Sequence, residues 1–101
     1  MTDREIVAVI LDDACLTLEQ VASACAVETD WVVRRVAEGL FPATGASSAE
    51  WRFTSAALLR ARRMHAIERD FDAVPELAAL VADMLEEVDA LRARLRREGL
   101  G

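Results

Sequence analysis

Residues 17 to 42, TLEQVASACAVETDWVVRRVAEGLFP, read as two short helices joined by a tight turn, and that reading sets the fold. Thr17 and Gln20 have the spacing of a capping box, in which the hydroxyl accepts from the N3 amide and the Gln side chain reaches back to the N-cap amide. A helix from about 18 to 25 follows, with Leu18, Val21, Ala22 and Cys25 recurring at three and four on one buried face. Ala26-Val27 makes the turn. Thr29 or Glu28 opens the second helix, whose inner stripe is Trp31, Val32, Val36 and Leu40. Gly39 stops that helix and Pro42 prevents its continuation.

This order is that of a helix-turn-helix, whose second helix in a DNA reader meets phosphates and base edges. Here it opens with Glu28 and Asp30, where a polyanion calls for bare amides and positive charge. The formal net charge is −6, with no lysine among the twelve basic residues. Residues 1 to 42 carry net −5, residues 43 to 71 net +2 and residues 72 to 101 net −3. Nucleic-acid affinity comes from basic surface that releases counterions, so this balance argues against nucleic acid as the partner. The cluster Arg60, Arg62 and Arg63 is the one feature that favours it. The competing use of those arginines is ion pairing with Glu86 or Glu87 of a second chain.

Ile6 to Leu11 is β-branched and apolar on both alternating sets, as in a short strand covered on both faces, and Asp12-Asp13 ends it. Residues 43 to 49 have the composition of a flexible loop. Trp51-Arg52-Phe53 alternates as a half-buried strand does and is expected as a wing that pairs with the N-terminal strand. Thr54 is a suitable N-cap for a third helix, with Ala57, Ala61, Met64, Ile67 or Glu68, and Phe71 on its stripe, ending near Asp70. Asp72 can cap the last helix, Pro75 fits its first turn, and a bend is expected between Arg69 and Pro75.

From there Leu77, Val81, Met84, Val88, Leu91 and Leu95 recur with spacings 4, 3, 4, 3, 4, which is a coiled-coil seam. On an isolated helix the stripe would face water, so the expectation is a homodimer joined through these six residues. The alternative folds the helix back onto its own domain, and Leu80 and Leu85 widen the apolar face in its favour. The expected fold is mainly α: a winged helix-turn-helix over 1–72, with a short N-terminal strand, and a dimerisation helix over 73–101, together one structural unit.

No run approaches the roughly 18 apolar residues of a membrane span. Ile6 to Leu11 is too short for a signal-peptide core and is preceded by Asp3 and Glu5, so a cytoplasmic, membrane-free protein is expected. Cys15 and Cys25 lack CxxC spacing and read as buried, reduced thiols. His65 is flanked by Arg62, Arg63 and Arg69 and reads as a surface or boundary residue. With no Gly-rich phosphate loop, Ser/His/Asp set or metal-ligand spacing, no enzyme activity, cofactor or metal is expected.

Leu16 to Ala22, Val27, and Glu38-Gly39-Leu40-Phe41-Pro42 together resemble the N-terminal helix-turn-helix of MerR-type regulators. The wing Trp51-Arg52-Phe53, the Leu58-Leu59 helix, the Asp70-Phe71-Asp72 bend and the terminal coiled-coil helix follow in that fold's order. Such regulators commonly carry an Arg-Tyr-Tyr-Glu-like run in the recognition helix, where this chain has Val33-Arg34-Arg35-Val36, so Val33 replaces a phosphate-contacting Arg. The usual basic character of the wing is missing too, and no effector domain is expected after the coiled coil.

The chain is more similar to the MerR-like chaperone modulator family CbpM. The features that carry the similarity are the apolar strand ending in an acid before Cys15, Gly39-Leu40-Phe41-Pro42, Trp51-x-Phe53, the Arg60-to-Met64 helix and Leu91-x-x-x-Leu95. That resemblance implies a cytoplasmic homodimer that binds the J-domain of a DnaJ-like co-chaperone of CbpA type and blocks its productive contact with the Hsp70 chaperone DnaK. J-domains of this kind present a basic helix, so an acidic, partly apolar surface is expected to bind it. Asp70, Phe71, Asp72 and Glu76 around the bend are the first candidates, with Asp12 and Asp13 second. The alternative is a MerR-type DNA-binding transcriptional regulator. The heptad position of Glu87 and Arg92 suits a parallel coiled coil, whereas the MerR resemblance implies an antiparallel one.

Overall fold

The computed structural model describes residues 14–99. The expected strand over residues 6–11 and the pair Asp12 and Asp13 lie outside the described residues. Strand β1 (Leu16–Thr17) leads directly into α1 (Leu18–Cys25), and Thr17 caps that helix. Thr17 Oγ1 accepts from the Gln20 amide at 3.1 Å, and Gln20 Oε1 accepts from the Thr17 amide at 2.8 Å, so the capping box forms as the spacing predicts.

Helix α1 ends in a Schellman motif, with Ala26 left-handed at φ 58° and the Val27 amide donating to the Ala22 carbonyl at 3.0 Å. Helix α2 (Thr29–Ala37) ends the same way, and there the left-handed residue is Gly39, with Leu40 donating to Arg35 and Gly39 to Val36. The two helices therefore start and stop where the sequence sets them.

Within the described residues the wing has a partner that the sequence reading did not name. Strand β2 (Arg52–Phe53) pairs antiparallel with β1, Leu16 opposite Phe53 and Thr17 opposite Arg52. Trp51 stands just outside the strand and meets Phe53 edge-on, with ring centroids 6.2 Å apart. The segment before it is a built turn. Thr44 bridges Arg52, residues Ser48–Glu50 form one 3-10 turn, and Gly45 at φ 119° lies so close to the Glu50 carbonyl that a Cβ there would come within 2.6 Å of it.

Thr54 caps α3 (Ser55–Phe71) by accepting from the Ala57 amide at 3.0 Å. Ala57, Ala61 and Met64 face the core as the stripe predicts, but Phe71 does not: it is 76% exposed. Asp72 is corrected as well. It takes the left-handed conformation that closes α3, while Val74 is the N-cap of α4 (Pro75–Arg97) and makes no side-chain capping bond. Pro75 occupies the first turn, where its missing amide loses nothing.

Helix α4 turns back along α3 and buries Ala78, Ala79 and Ala82, whose small side chains let the two helices approach closely. The core thus joins Leu18, Val21, Ala22 and Cys25 of α1, Trp31 and Val32 of α2, Phe41, Phe53, the three inward residues of α3 and these alanines. The fold is a mainly helical winged helix-turn-helix. Its last helix has two apolar faces, a small-residue face on α3 and a large-residue face on solvent.

Candidate partner-binding surface

Two adjacent arginines in α2 have opposite fates. Arg34 is exposed, whereas Arg35 is buried and reaches Glu68 of α3 by Nε to Oε2 at 3.1 Å and Nη2 to Oε1 at 2.8 Å. Trp31 Nε1 donates to the same carboxylate at 3.2 Å, and the guanidinium lies 4.9 Å from the Trp31 ring centre. The hydrogen bond to Glu68 outweighs the burial that opposes it and holds the Arg35 guanidinium more basic than usual. Glu38 adds a weaker contact at 3.5 Å.

This pair was not anticipated from the sequence. The signal was present: Arg35 stands four residues after Trp31, and Glu68 four after Met64, each in line with an inward residue. The consequence for the recognition helix is a loss of outward positive charge. Its exposed ionisable residues are Glu28, Asp30, Arg34 and Glu38.

Two of the three arginines of the α3 cluster are also spent within the chain. Arg60 donates from Nε to the Leu40 carbonyl at 2.6 Å and from Nη1 to Asp83 at 2.7 Å and Glu86 at 3.0 Å. Burial works against the Arg60 charge, but the bonds to Glu86 and Asp83 prevail and keep it above its ordinary basicity. Arg63 pairs with Asp89 at 2.7 Å. These acids belong to the same chain, not to a second one, and they fix the exit of α2, α3 and α4 to one another. Arg62 remains exposed.

His65 is a boundary residue as expected, meeting Trp31 edge-on with centroids 5.7 Å apart. Cys25 is buried and its thiol is pushed up by that burial, against the lowering influence of Arg62. Cys15 is exposed, contrary to its reading as buried.

Asp70, Phe71, Asp72 and Glu76 do come together, all exposed, where α3 turns into α4. Asp70 is held below the usual carboxylate range by its hydrogen bond to Arg69 at 2.9 Å. Beside Phe71 lies an open apolar groove of about 340 Å³, lined by Ile67, Phe71, Ala73, Leu77 and Val81. Of the seam residues, Leu77, Met84, Val88, Leu91 and Leu95 are exposed, Val81 is half-buried, and Leu80 joins the exposed stripe.

A family model described as MerR HTH family regulatory protein matches residues 16–97, from β1 to the last turn of α4. The chain belongs to this MerR family. Comparison with curated proteins and with solved structures gives no match. The match spans the helix-turn-helix, the wing and both long helices, so the family accounts for the scaffold. Within it, the inward turn of Arg35 and the acids at the start of α2 set the character of the surface that a MerR regulator would turn to DNA. No described helix is long and apolar enough to cross a membrane.

Proposed function

We propose that this MerR-family chain is a modulator that works by binding a basic protein helix, as in the J-domain of a DnaJ-like co-chaperone of CbpA type, and so blocks that helix from its Hsp70 partner. The observation that supports it most is the use of basic residues inside the chain. Arg35 is taken up by Glu68, Arg60 by Asp83 and Glu86, and Arg63 by Asp89, so the recognition helix and α3 present far less positive charge than the sequence carries. Inhibition of this kind needs occlusion and no chemistry.

The contact surface in this reading is the bend. Phe71 supplies an exposed aromatic anchor, and Asp72 and Glu76 supply a rim of carboxylates that make no ion pair within the described residues. Apolar anchors give most of the affinity of such contacts, and complementary charge speeds encounter and selects the partner. The protein acts in the cytoplasm, where such co-chaperones work.

A second reading, a DNA-binding regulator, draws on the family description and on exposed Arg34, Arg52 and Arg62. One titration separates the two. The full chain is titrated with a J-domain co-chaperone and, in parallel, with duplex DNA at several salt concentrations. The proposal expects a saturable complex with the co-chaperone that weakens as salt rises and is lost on Phe71→Ala with Asp72→Lys. Retention of duplex at moderate salt, with no co-chaperone complex, rejects it.

A further inference from the structure

Helix α3 carries four arginines, and three of them have acids: Arg60 has Asp83 and Glu86, Arg63 has Asp89, and Arg69 has its neighbour Asp70. Arg62 makes no hydrogen bond or ion pair among the described residues. It stands exposed three residues before His65 and seven before Arg69, so the three side chains leave α3 on one face. His65 meets Trp31 edge-on and makes no hydrogen bond among the described residues. Together with Ala66, and with Ala24 and Cys25 of α1, these three enclose a cavity of about 260 Å³.

The space exists because its other walls are small: opposite the cations, α1 offers only the methyl group of Ala24 and the buried thiol of Cys25. No carboxylate lines it. Asp70 holds Arg69 from outside, through Nε at 2.9 Å and Nη2 at 3.4 Å, and leaves Nη1 without a partner among the described residues. Glu28 and Asp30 line a separate groove that shares only His65 with this cavity. Cations near a helix C-terminus also complement its dipole, and α1 ends here at Cys25. That use needs charge beside the last turn but no space between the cations.

The donor set fixes the chemistry of a ligand. A guanidinium offers N–H donors in a planar fork that matches the oxygens of carboxylate and phosphate alike, and the imidazole adds a third direction. Donors that reach one small space from three directions suit a tetrahedral dianion better than a planar carboxylate. The volume lies below the range of sites for drug-sized ligands, which keeps whatever carries the anion small. We propose that Arg62, His65 and Arg69 form a binding site for the phosphate group of a small phosphomonoester. Arg62 and Nη1 of Arg69 act as charge-assisted donors, His65 closes the third side, and Asp70 competes with the ligand for Arg69. The site lies apart from the apolar groove at the bend and does not rest on the function proposed for that groove.

His65 is the only histidine of the chain, so its imidazole proton resonances report on this cavity alone in a titration of the full-length protein. Inorganic phosphate and glycerol phosphate, added at constant pH and ionic strength, shift them saturably, whereas chloride and acetate do not. Arg62→Gln with Arg69→Gln, both at exposed positions, weakens phosphate binding at least about tenfold, as the loss of charge-assisted hydrogen bonds should, and leaves the Tm without phosphate near that of the wild type. Asp70→Asn frees Arg69 and tightens binding about threefold, the scale of one exposed ion pair. Arg62→Lys separates the site from a helix-end role: it keeps the charge beside α1 but loses the fork, so phosphate binds more weakly at unchanged stability. A shift that does not saturate, acetate bound as tightly as phosphate, or a double Gln variant that binds like the wild type overturns the site. So does an Arg62→Lys variant with wild-type phosphate affinity, which would leave the cations to the helix end. A duplex that moves the His65 resonances at a lower phosphate concentration than inorganic phosphate does assigns this face to a nucleic-acid backbone and also overturns the proposal.

Discussion

Arg35 of α2 and Glu68 of α3 form a two-pronged ion pair, with Nη2 to Oε1 at 2.8 Å and Nε to Oε2 at 3.1 Å, and both side chains are nearly closed to water. The pair fixes the rotation of the recognition helix on the helix behind it. It also decides which of two neighbouring arginines is offered to a partner.

Breaking that pair from one side leaves a buried charge without its counter-ion. Glu68→Ala should therefore destabilise the fold by about 3 kcal/mol, since it strips a buried guanidinium of its main acceptor and Trp31 Nε1 of its bond as well. Arg35→Met with Glu68→Leu should cost less than Glu68→Ala alone, because both charges leave together. Urea midpoints for the wild type and the two variants check this, and a double variant as unstable as Glu68→Ala would rule the account out.

Ala26 holds φ 58° and is exposed in the turn between α1 and α2, so its methyl group is no part of the core. A left-handed L-residue costs about 1–2 kcal/mol, and glycine gives back only part of that in chain entropy. Ala26→Gly is expected to raise stability by up to about 1 kcal/mol, seen as a higher Tm, and Ala26→Val to lower it. A lower Tm for the glycine variant would mean that the turn is held by something other than backbone geometry.

What the sequence made legible was local. The Thr17–Gln20 box, the Gly39 stop and the Thr54 cap depend on residues three or four apart, and each forms as spacing predicts. The alanine face of α4 was hidden because alanine carries little hydropathic signal: folding back onto the domain was one of the two expectations for that helix, but through Leu80 and Leu85, not through Ala78, Ala79 and Ala82. Pairing was harder still. The partner of Phe53 proved to be Leu16, next to the Thr17 cap, and Arg35 found Glu68 across 33 positions, which no local period reports. Of the bend, the sequence placed Asp70, Phe71, Asp72 and Glu76 together, yet it left Phe71 both on the inward stripe of the third helix and among the partner-binding candidates. A helix that ends at Phe71 with a left-handed Asp72 turns the ring outward.

The acids of the recognition helix should be the main barrier to nucleic acid on this face. Reversing them, with Glu28→Arg and Asp30→Arg, joins two new cations to exposed Arg34 on one helix end. Non-specific duplex binding is expected to appear at low salt and fall steeply as salt rises, with a slope that grows by about two counterions relative to the unaltered chain. Anisotropy of a labelled duplex of arbitrary sequence reads it. Equal binding by the unaltered chain would show that charge on this helix does not govern the outcome.

The two thiols should separate cleanly by accessibility. Cys15 is exposed beside β1, whereas Cys25 is closed in between α1 and α3 with its thiol pushed up by burial. At neutral pH a thiol reagent should modify Cys15 promptly and Cys25 only as fast as the fold opens, so the second rate should follow urea concentration. The same burial sets the sign of one pH effect. A group whose folded-state pKa is raised holds its proton longer than the unfolded chain does, so its contribution is intact below the ordinary value of 9.0 and is lost as pH rises through the folded value. Stability should therefore decline above about pH 9 and decline less in Cys25→Ala, once that variant's own packing loss at neutral pH is taken as its baseline. Parallel alkaline decline in the two proteins would place the titrating group elsewhere.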